Sequence, residues 1–299
     1  MAAPRFARPA RRTLQLVTRA VAEPQPPRPG WREAPPDFVG VGAQRAGTTW
    51  WYGLVVDHPR IEGVSAARRR LRPGERPRRG ESVRAPREGS LRKELHFFDS
   101  FQEQELTAAD RELYRRFFPR PSGSIAGEWT PRYMLDLWAP GLLRLAAPEA
   151  KILLLLRDPI ERFLSGLARE ARVADRHGAE LSLAAWGEAL HRSCYAPQLE
   201  RVMRHFPRAQ ILVLQYERCR HDPHGELRRT FEFLGVEPAG HLPERLDAQA
   251  SARAPKPPIS VTTREELIAA LRTDVDRLAR LAPELDLDLW PDFSDLPSS

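Results

Sequence analysis

The sequence predicts a single α/β domain whose central sheet is mostly parallel and flanked by helices. Two apolar stretches, 151–156 and 210–215, are typical of strands that a parallel sheet buries on both faces. Helical patterns alternate with these strands along most of the chain, which favours an open sheet that is covered on both sides. A length of 299 residues fits one such domain and is short for two enzymatic domains.

The first predicted strand and helix flank a glycine loop. The apolar run 38–41 predicts a strand, residues 42–49 form the loop, and 50–56 predict a helix that stops at His58 and Pro59. This order brings backbone N–H groups and the positive end of a helix dipole together. The segment therefore predicts a P-loop-like site for a phosphate or phosphosulfate group.

The remaining elements are expected at regular intervals after this loop. In chain order they are an extended piece at 94–98, a helix at 107–118, a strand at 124–127, a helix at 133–146, the strand at 151–156, helices at 159–176, 182–192 and 195–206, the strand at 210–215, and helices at 223–234 and 263–281. In a sheet of this kind, ligands bind at the carboxyl ends of the strands.

Two segments are expected to lie outside the packed core. Residues 1–36 are rich in Arg, Pro and Ala and predict a basic disordered tail, so that the domain spans 37–299. Residues 63–92 carry many arginines with almost no apolar periodicity, and predict a mobile basic insertion. We expect no integral membrane segment, because no stretch approaches the length and apolarity of a membrane span.

The composition limits which classes of partner and which cellular compartment are expected. A net charge of +7 favours an anionic partner or substrate, although only three of the 47 basic residues are lysines, which indicates a coding bias. The two cysteines, Cys194 and Cys219, form no closely spaced pair. Neither a disulfide framework nor a zinc site is predicted, and a cytoplasmic location is the expectation.

The loop also has the frame of a Walker A motif, with one decisive difference. Thr48 stands where nucleotide triphosphatases place a lysine, and the cation of the loop is Arg45. Without that lysine, a magnesium-dependent phosphoryl-transfer site is less well supported, and no metal is expected. For the segment alone, an ordinary glycine turn is the alternative.

Residues 42–50 (GAQRAGTTW) resemble the phosphosulfate-binding loop of the sulfotransferases that use 3′-phosphoadenosine 5′-phosphosulfate (PAPS). The usual form of that loop carries a lysine at the position of Arg45. The resemblance implies that Arg45 neutralises the charge that develops as the sulfuryl group leaves. The donor-binding residues that it implies are Gln44, Arg45, Ala46, Gly47, Thr48, Thr49 and Trp50. Trp50 would stack on adenine, and a packed core indole is an equally good interpretation.

Residues 157–165 (RDPIERFLS) resemble the 3′-phosphate signature of the same family. In that signature an arginine and a serine grip the phosphate, which assigns Arg157 and Ser165 to it. Pro159 suits the first turn of a helix, and Ser165 lies about two turns further along. Both side chains are therefore expected to face one phosphate.

Residues 93–99 (KELHFFD) are similar to a segment of the heparan-type and bacterial carbohydrate sulfotransferases. The resemblance implies that Glu94 is the catalytic base. Lys93 and His96 flank this carboxylate and can tune it, and His96 can stabilise charge on the acceptor or the sulfuryl group. A solvated ion pair on an edge strand is the alternative.

Residues 127–133 (GEWTPRY) resemble the family element that lines the acceptor cleft. The acceptor-binding residues that the resemblance implies are Lys93, Trp129, Thr130 and Pro131. Trp129 replaces the lysine of the glycosaminoglycan-modifying members, which argues against a heparan-like polyanionic acceptor.

Together these resemblances imply an enzyme that moves the sulfuryl group of PAPS to a hydroxyl or amine of a carbohydrate, a glycoconjugate or another small acceptor. Neither a metal nor a nucleic-acid partner is implied. Two alternatives stay open at this point: a P-loop kinase or other nucleotide-binding protein, and a polyanion-binding module that uses the arginines at 68–87. The second is weakened because these arginines have no aromatic residues between them.

Overall fold

A computed structural model describes residues 20–70, 93–102, 104–176, 178–238 and 256–297. Within these ranges the strands are β1 Ala20–Pro24, β2 Arg32–Glu33, β3 Phe38–Gly42, β4 Ile61–Glu62, β5 Ala66–Arg70, β6 Pro119–Arg120, β7 Ile125–Trp129, β8 Lys151–Leu156 and β9 Ile211–Gln215. The α-helices are α1 Thr48–Val55, α2 Ala108–Arg115, α3 Ala139–Ala146, α4 Pro159–Arg176, α5 Leu183–His191, α6 Ala196–Met203, α7 Tyr216–His221, α8 Pro223–Leu234 and α9 Val261–Leu281.

Five parallel strands form the central sheet, in the order β4, β7, β3, β8 and β9. Every residue of β9 and all but Lys151 of β8 are buried, as their apolar sequences predict for strands inside a parallel sheet. The predicted α/β domain is therefore confirmed. The carboxyl ends of β3, β7 and β8 lie at one edge, where the predicted site residues follow.

The best-predicted helices carry their own start and stop signals. The Asp158 carboxylate accepts hydrogen bonds from the backbone N–H groups of Ile160 (2.8 Å) and Glu161 (3.0 Å), and Pro159 occupies the first turn of α4. At the end of α8, Gly235 adopts a left-handed φ of 77°. The predicted bounds 159–176 and 223–234 are those observed.

Several elements differ from the prediction, and three of them lie near the predicted site or the sheet edge. Residues 93–96 have no regular structure and lead into a 3-10 turn at Phe97–Ser100, where an extended piece was expected. The expected helix at 133–146 is shortened to α3, because turns occupy 131–135 and the helix begins beside Pro140. Helix α7 was not predicted, since it is short and follows β9 directly.

Two small antiparallel sheets lie beside the central sheet. Strand β1 pairs with β5, and β2 pairs with β6. Strands β1, β2 and β5 fall within the stretches 1–36 and 63–92, which the sequence assigns to a disordered tail and a mobile insertion. The structure differs there because pairing between distant strands leaves no periodic signature. Within these two stretches, residues 1–19 and 71–92 lie outside the described residues.

Helix α9 is the longest of the described helices and is amphipathic. Its buried residues are Leu267, Leu271, Val275, Leu278 and Ala279. Its Asp274 accepts hydrogen bonds from the backbone N–H groups of Tyr195 (2.7 Å) and Ala196 (3.2 Å), which fixes α9 against the start of α6. None of the helices in the described ranges is long and apolar enough to cross a lipid bilayer.

Candidate functional site

The glycine loop follows β3 and leads into α1, as predicted. Gly47 precedes α1 with a φ of 92°, and a Cβ at this position would lie 2.7 Å from the ring of Tyr216. Only glycine fits such a position. No side chain caps the first turn of α1, so its backbone N–H groups are available to an anion.

Arg45 connects the loop to the second predicted element. Its Nε donates a hydrogen bond to Ser165 Oγ on α4, at 3.2 Å. Desolvation, followed by the nearby guanidinium groups of Arg172, Arg169 and Arg157, lowers the pKa of Arg45. The predicted phosphosulfate loop and 3′-phosphate residues therefore lie side by side.

Arg157 lies at the end of β8, with most of its side chain buried. Its Nη2 donates to Glu161 Oε2 at 2.8 Å, and its guanidinium lies over the ring of Tyr216, 5.1 Å from the centroid. Its buried Nε finds no acceptor among the described residues. A buried donor without a partner is costly, so this arrangement is expected where a bound anion completes the hydrogen bonds.

Arg162 is a buried arginine that was not predicted as a site residue, and it bonds the backbone of the glycine loop. Arg162 Nε donates to the backbone oxygen of Gln44 at 3.1 Å. Its Nη1 donates to the oxygen of Ala189 (2.6 Å) and to Ser193 Oγ (3.2 Å). Burial lowers the pKa of Arg162 to about 10, so it stays charged at neutral pH. The sequence offered one signal for such a role, which is that Arg162 stands among the apolar residues of α4.

Lys93, Glu94 and His96 form a chain of polar contacts that starts at α1. Lys93 Nζ donates to Thr48 Oγ1 at 3.1 Å and pairs with Glu94 Oε1 at 2.6 Å. His96 Nε2 donates to Glu94 Oε2, and His96 Nδ1 donates to Asp99 Oδ2, both at 2.9 Å. The predicted base and its neighbours are thus fixed beside the glycine loop.

This network shifts the pKa values of Glu94 and His96 in opposite directions. Burial alone would raise the pKa of Glu94, but His96 and Lys93 outweigh it and lower the pKa to about 2. Burial would likewise lower the pKa of His96, but Asp99 and Glu94 raise it to about 9. At neutral pH the carboxylate is ionised and the imidazole is protonated. Glu94 is therefore in the form that accepts a proton, whereas His96 is not.

A second carboxylate, Glu128, lies beneath this segment and is fully buried. Four donors surround it: Tyr114 OH (2.7 Å), Tyr133 OH (3.3 Å), Thr130 Oγ1 (2.6 Å) and the backbone N–H of Leu95 (3.1 Å). Thr130 Oγ1 in turn accepts from the backbone N–H groups of Leu95 and His96. Glu128 and its donors therefore fix the backbone that carries the predicted base.

Comparison with known proteins identifies the family. Residues 36–239 match the Sulfotransferase family. The chain belongs to this family. It is 33% identical over 214 residues to heparan sulfate glucosamine 3-O-sulfotransferase 3B1 of Mus musculus, covering 68% of this chain and 46% of that relative. It is also 25% identical over 229 residues to bifunctional heparan sulfate N-deacetylase/N-sulfotransferase 4 of Mus musculus, covering 71% of this chain and 23% of the relative.

The sulfotransferase fold is also found among solved structures. The sulfotransferase from Alicyclobacillus acidocaldarius superposes with a TM-score of 0.56 at 25% identity, covering 86% of this chain and 99% of that one. By contrast, the chain spans less than half the length of the curated relatives it matches. The predicted resemblance to heparan-type and bacterial sulfotransferases is thus confirmed at the level of the family.

In this member of the family, the residues that were assigned to the acceptor lie beneath the candidate site. Trp129 is fully buried, its Nε1 donates to the oxygen of Gly42 at 3.0 Å, and a Cβ on Gly40 would lie 2.0 Å from its ring. Thr130 and Pro131 are buried, and Lys93 is engaged by Thr48 and Glu94. The assignment of these four residues to acceptor binding stays a prediction; in the structure Trp129 bonds the glycine loop, and Lys93 links that loop to Glu94.

Trp50, by contrast, stays partly exposed. Its ring makes edge contacts with Trp51 (5.2 Å between centroids) and Tyr216 (6.2 Å), and the guanidinium of Arg220 lies 5.4 Å from it. This environment suits both a packed indole and a stacking surface. Stacking of adenine on Trp50 stays a prediction.

Asp99 and Glu128 had no predicted role, although both lie in the recognised segments. The available signal for Glu128 was a carboxylate in a short strand with apolar neighbours, followed by a threonine two residues later. Among the described side chains, no group of three or more His, Cys, Asp or Glu residues is placed to hold a metal ion.

Replacing Glu128 by Gln is expected to lower the free energy of unfolding by about 1–3 kcal/mol, the cost of a buried donor left without an acceptor. The side-chain NH₂ would face hydroxyl or backbone donors that now bond the carboxylate. Urea denaturation measures the loss, and Tyr114→Phe is the matched control because it removes one donor and leaves the carboxylate. Equal stability of Glu128→Gln and the unmodified protein would contradict the role of Glu128.

Proposed function

We propose that this chain transfers the sulfuryl group of PAPS to a hydroxyl or amine of a carbohydrate acceptor by in-line displacement, with Glu94 as the base. One observation carries the proposal: the glycine loop bonds the 3′-phosphate element through Arg45 and Ser165, and bonds the base segment through Thr48 and Lys93. Two anion sites and one ionised carboxylate therefore converge at the same edge of the sheet.

The residues fit a nucleotide that carries two anionic groups. The loop and the uncapped start of α1 would hold the 5′-phosphosulfate, while Arg157, with its unpaired buried Nε, and Ser165 would hold the 3′-phosphate. PAPS supplies an activated sulfuryl group: the acceptor oxygen or nitrogen bonds to sulfur as the bond from sulfur to the 5′-phosphate oxygen breaks. The electron pair leaves with 3′-phosphoadenosine 5′-phosphate (PAP).

Within this arrangement, Glu94 accepts the proton of the attacking group. Lys93 and His96 each bond one of its oxygens, so the carboxylate is oriented before the substrates bind. A pKa of about 2 makes Glu94 a weak base in the free protein. An anionic donor bound beside Lys93 would oppose the ionised form of Glu94 and so raise its pKa. Protonated His96 and Arg45 supply positive charge where negative charge develops.

The contacts of Asp158 argue against the kinase alternative. This residue is the most plausible magnesium ligand of the sequence, yet its Oδ1 accepts the backbone hydrogen bonds that start α4. Thr48, in the Walker lysine position, accepts a hydrogen bond from Lys93. Both groups are therefore engaged in positioning the backbone and the base.

Thermal unfolding in the presence of PAP, ATP or NAD tests the ligand class. PAP at 100 times its dissociation constant is expected to stabilise the protein by about 2.7 kcal/mol, and EDTA is expected to change nothing. Transfer of radiolabelled sulfate from PAPS to a panel of glycans then tests the reaction. Stabilisation by ATP only with magnesium, and none by PAP, would favour the kinase instead.

A further inference from the structure

The peptide unit that joins Arg157 to Asp158 lies between two elements of the proposed donor site. Strand β8 ends at Leu156 and α4 begins at Pro159, so this unit belongs to neither of them. Its orientation sets the backbone torsions on either side of it, and therefore the direction in which the side chain of Arg157 leaves the chain. The groups that bind this peptide unit consequently determine where the guanidinium lies.

Two side chains bind this peptide unit from opposite ends. The hydroxyl of Tyr195 donates to the backbone oxygen of Arg157 at 3.0 Å. Glu217 Oε1 accepts from the backbone N–H of Asp158 at 3.1 Å. Tyr195 is fully buried, and Glu217 is partly buried. Both polar groups of the peptide unit are therefore bound by side chains of other elements.

The C-terminal part of the chain fixes both of these side chains in turn. Asp274 on α9 accepts from the backbone N–H of Tyr195 at 2.7 Å. The indole Nε1 of Trp290, which is fully buried, donates to Glu217 Oε2 at 2.9 Å. Both Asp274 and Trp290 lie beyond residue 239, where the match to the Sulfotransferase family ends. The C-terminal part therefore reaches the backbone of Arg157 through two separate contacts.

We propose that Tyr195 and Glu217 are positioning residues for the donor, which orient the peptide unit so that the guanidinium of Arg157 faces the 3′-phosphate. This inference rests on the proposed function, in which Arg157 binds that phosphate. Hydrogen bonds weaken steeply with misalignment, so a small rotation of the peptide unit is expected to weaken the contact. A guanidinium that turns away from the phosphate still has a partner, because Arg157 pairs with Glu161.

The test is a double-mutant cycle that combines Tyr195→Phe with Arg157→Ala and uses PAP as the probe. Tyr195→Phe removes only the hydroxyl, so the ring still fills its buried position and the variant is expected to fold. Tyr52→Phe is the matched control, because Tyr52 is also fully buried and also donates to a backbone oxygen, that of Gly127, at 3.0 Å. Urea denaturation compares the stability of the two variants, and calorimetric titration gives the Kd of PAP for each protein.

Tyr195→Phe is expected to raise the Kd of PAP about threefold to tenfold, as the loss of one hydrogen bond predicts. The Kd of adenosine 5′-phosphosulfate, which lacks the 3′-phosphate, should stay within about twofold, and Tyr52→Phe should leave both values unchanged. In the Arg157→Ala background, Tyr195→Phe should change the Kd of PAP by less than about twofold, because the group that it positions is absent. In the transfer assay the KM of PAPS should rise by the same factor as the Kd of PAP, while kcat should not fall.

Glu217→Gln tests the other end of the peptide unit. An amide has one acceptor oxygen where the carboxylate has two, so either the N–H of Asp158 or the indole of Trp290 then faces an NH₂ group. The expected result is again a loss of PAP affinity that disappears in the Arg157→Ala background.

An equal loss of PAP affinity with and without the Arg157 side chain would overturn the inference. An equal loss for both nucleotides, or no loss at all, would overturn it as well. Each of these results leaves the proposed function standing. If the unmodified protein binds no PAP, the proposed function fails, and this inference fails with it.

Discussion

Replacing Glu94 by Gln is expected to lower turnover with the best acceptor by a factor of about 10²–10⁴, the usual contribution of general-base assistance. The variant keeps the size of the side chain but removes the group that accepts the proton. PAP should bind normally, because Glu94 faces Lys93 and His96 and not the loop itself. Single-turnover transfer of labelled sulfate measures the chemical step, and calorimetric titration measures PAP binding.

Arg45→Ala is the contrasting variant, since it should weaken PAPS binding as well as turnover.

The pH dependence of the free energy of unfolding checks that Glu94→Gln still folds. The lowered pKa of Glu94 stabilises the unmodified protein above about pH 4.5, and this is lost as the pH falls towards 2. The raised pKa of His96 stabilises it below about pH 6.5, and this is lost as the pH rises through 9. The variant should therefore be less stable near pH 5.5, yet folded. Near-normal turnover under conditions where chemistry limits the rate would remove Glu94 from the mechanism.

Replacing Arg157 by Ala is expected to weaken the binding of PAP by roughly 1.5–3 kcal/mol, which is a factor of about 10–150. The loss should be confined to nucleotides that carry a 3′-phosphate, so the Kd of adenosine 5′-phosphosulfate should barely change. The physical reason is that the buried Nε of Arg157 lacks a protein acceptor among the described residues, while its Nη2 is held by Glu161. Titration calorimetry with both nucleotides gives the comparison.

Glu161→Gln is the opposing control for Arg157. It removes the carboxylate that competes for the guanidinium, so it should leave PAP affinity unchanged or increase it. Equal weakening of both nucleotides in Arg157→Ala would mean that Arg157 does not distinguish the 3′-phosphate.

The parts of the fold that could be predicted are those encoded by neighbours in the sequence. Strand β8 is an apolar run, and α4 begins at an Asp-Pro pair whose carboxylate caps it. The segment 93–96 could not be predicted, because its backbone bonds Glu128 and Thr130, which lie 33 to 35 residues further along the chain. Likewise β1 pairs with β5 across more than 40 residues. Contacts of that separation leave no local pattern.

The same distinction applies to the site. The glycine loop, Arg157 and Glu94 were recognised because their neighbours in the sequence form recognisable segments. The burial of Trp129 could not be predicted, because strand position alone does not show which residues the sheet covers, and β7 is covered on both faces. Arg162 was missed because its partners, Gln44 and Ala189, come from two other elements.

The buried bonds of Arg162 have a consequence for donor affinity. They fix the backbone of Gln44 before any nucleotide binds, and Arg192 bonds the side chain of the same residue. The conformational entropy of ordering the loop is therefore lost during folding rather than during association. A preorganised loop of this kind makes the affinity for the nucleotide depend on the packing of α4 against α5. Replacing Ser193 by Ala, or buried Ala189 by a larger residue that disturbs its backbone, is thus expected to weaken donor binding by loosening the contacts of Arg162 with the loop.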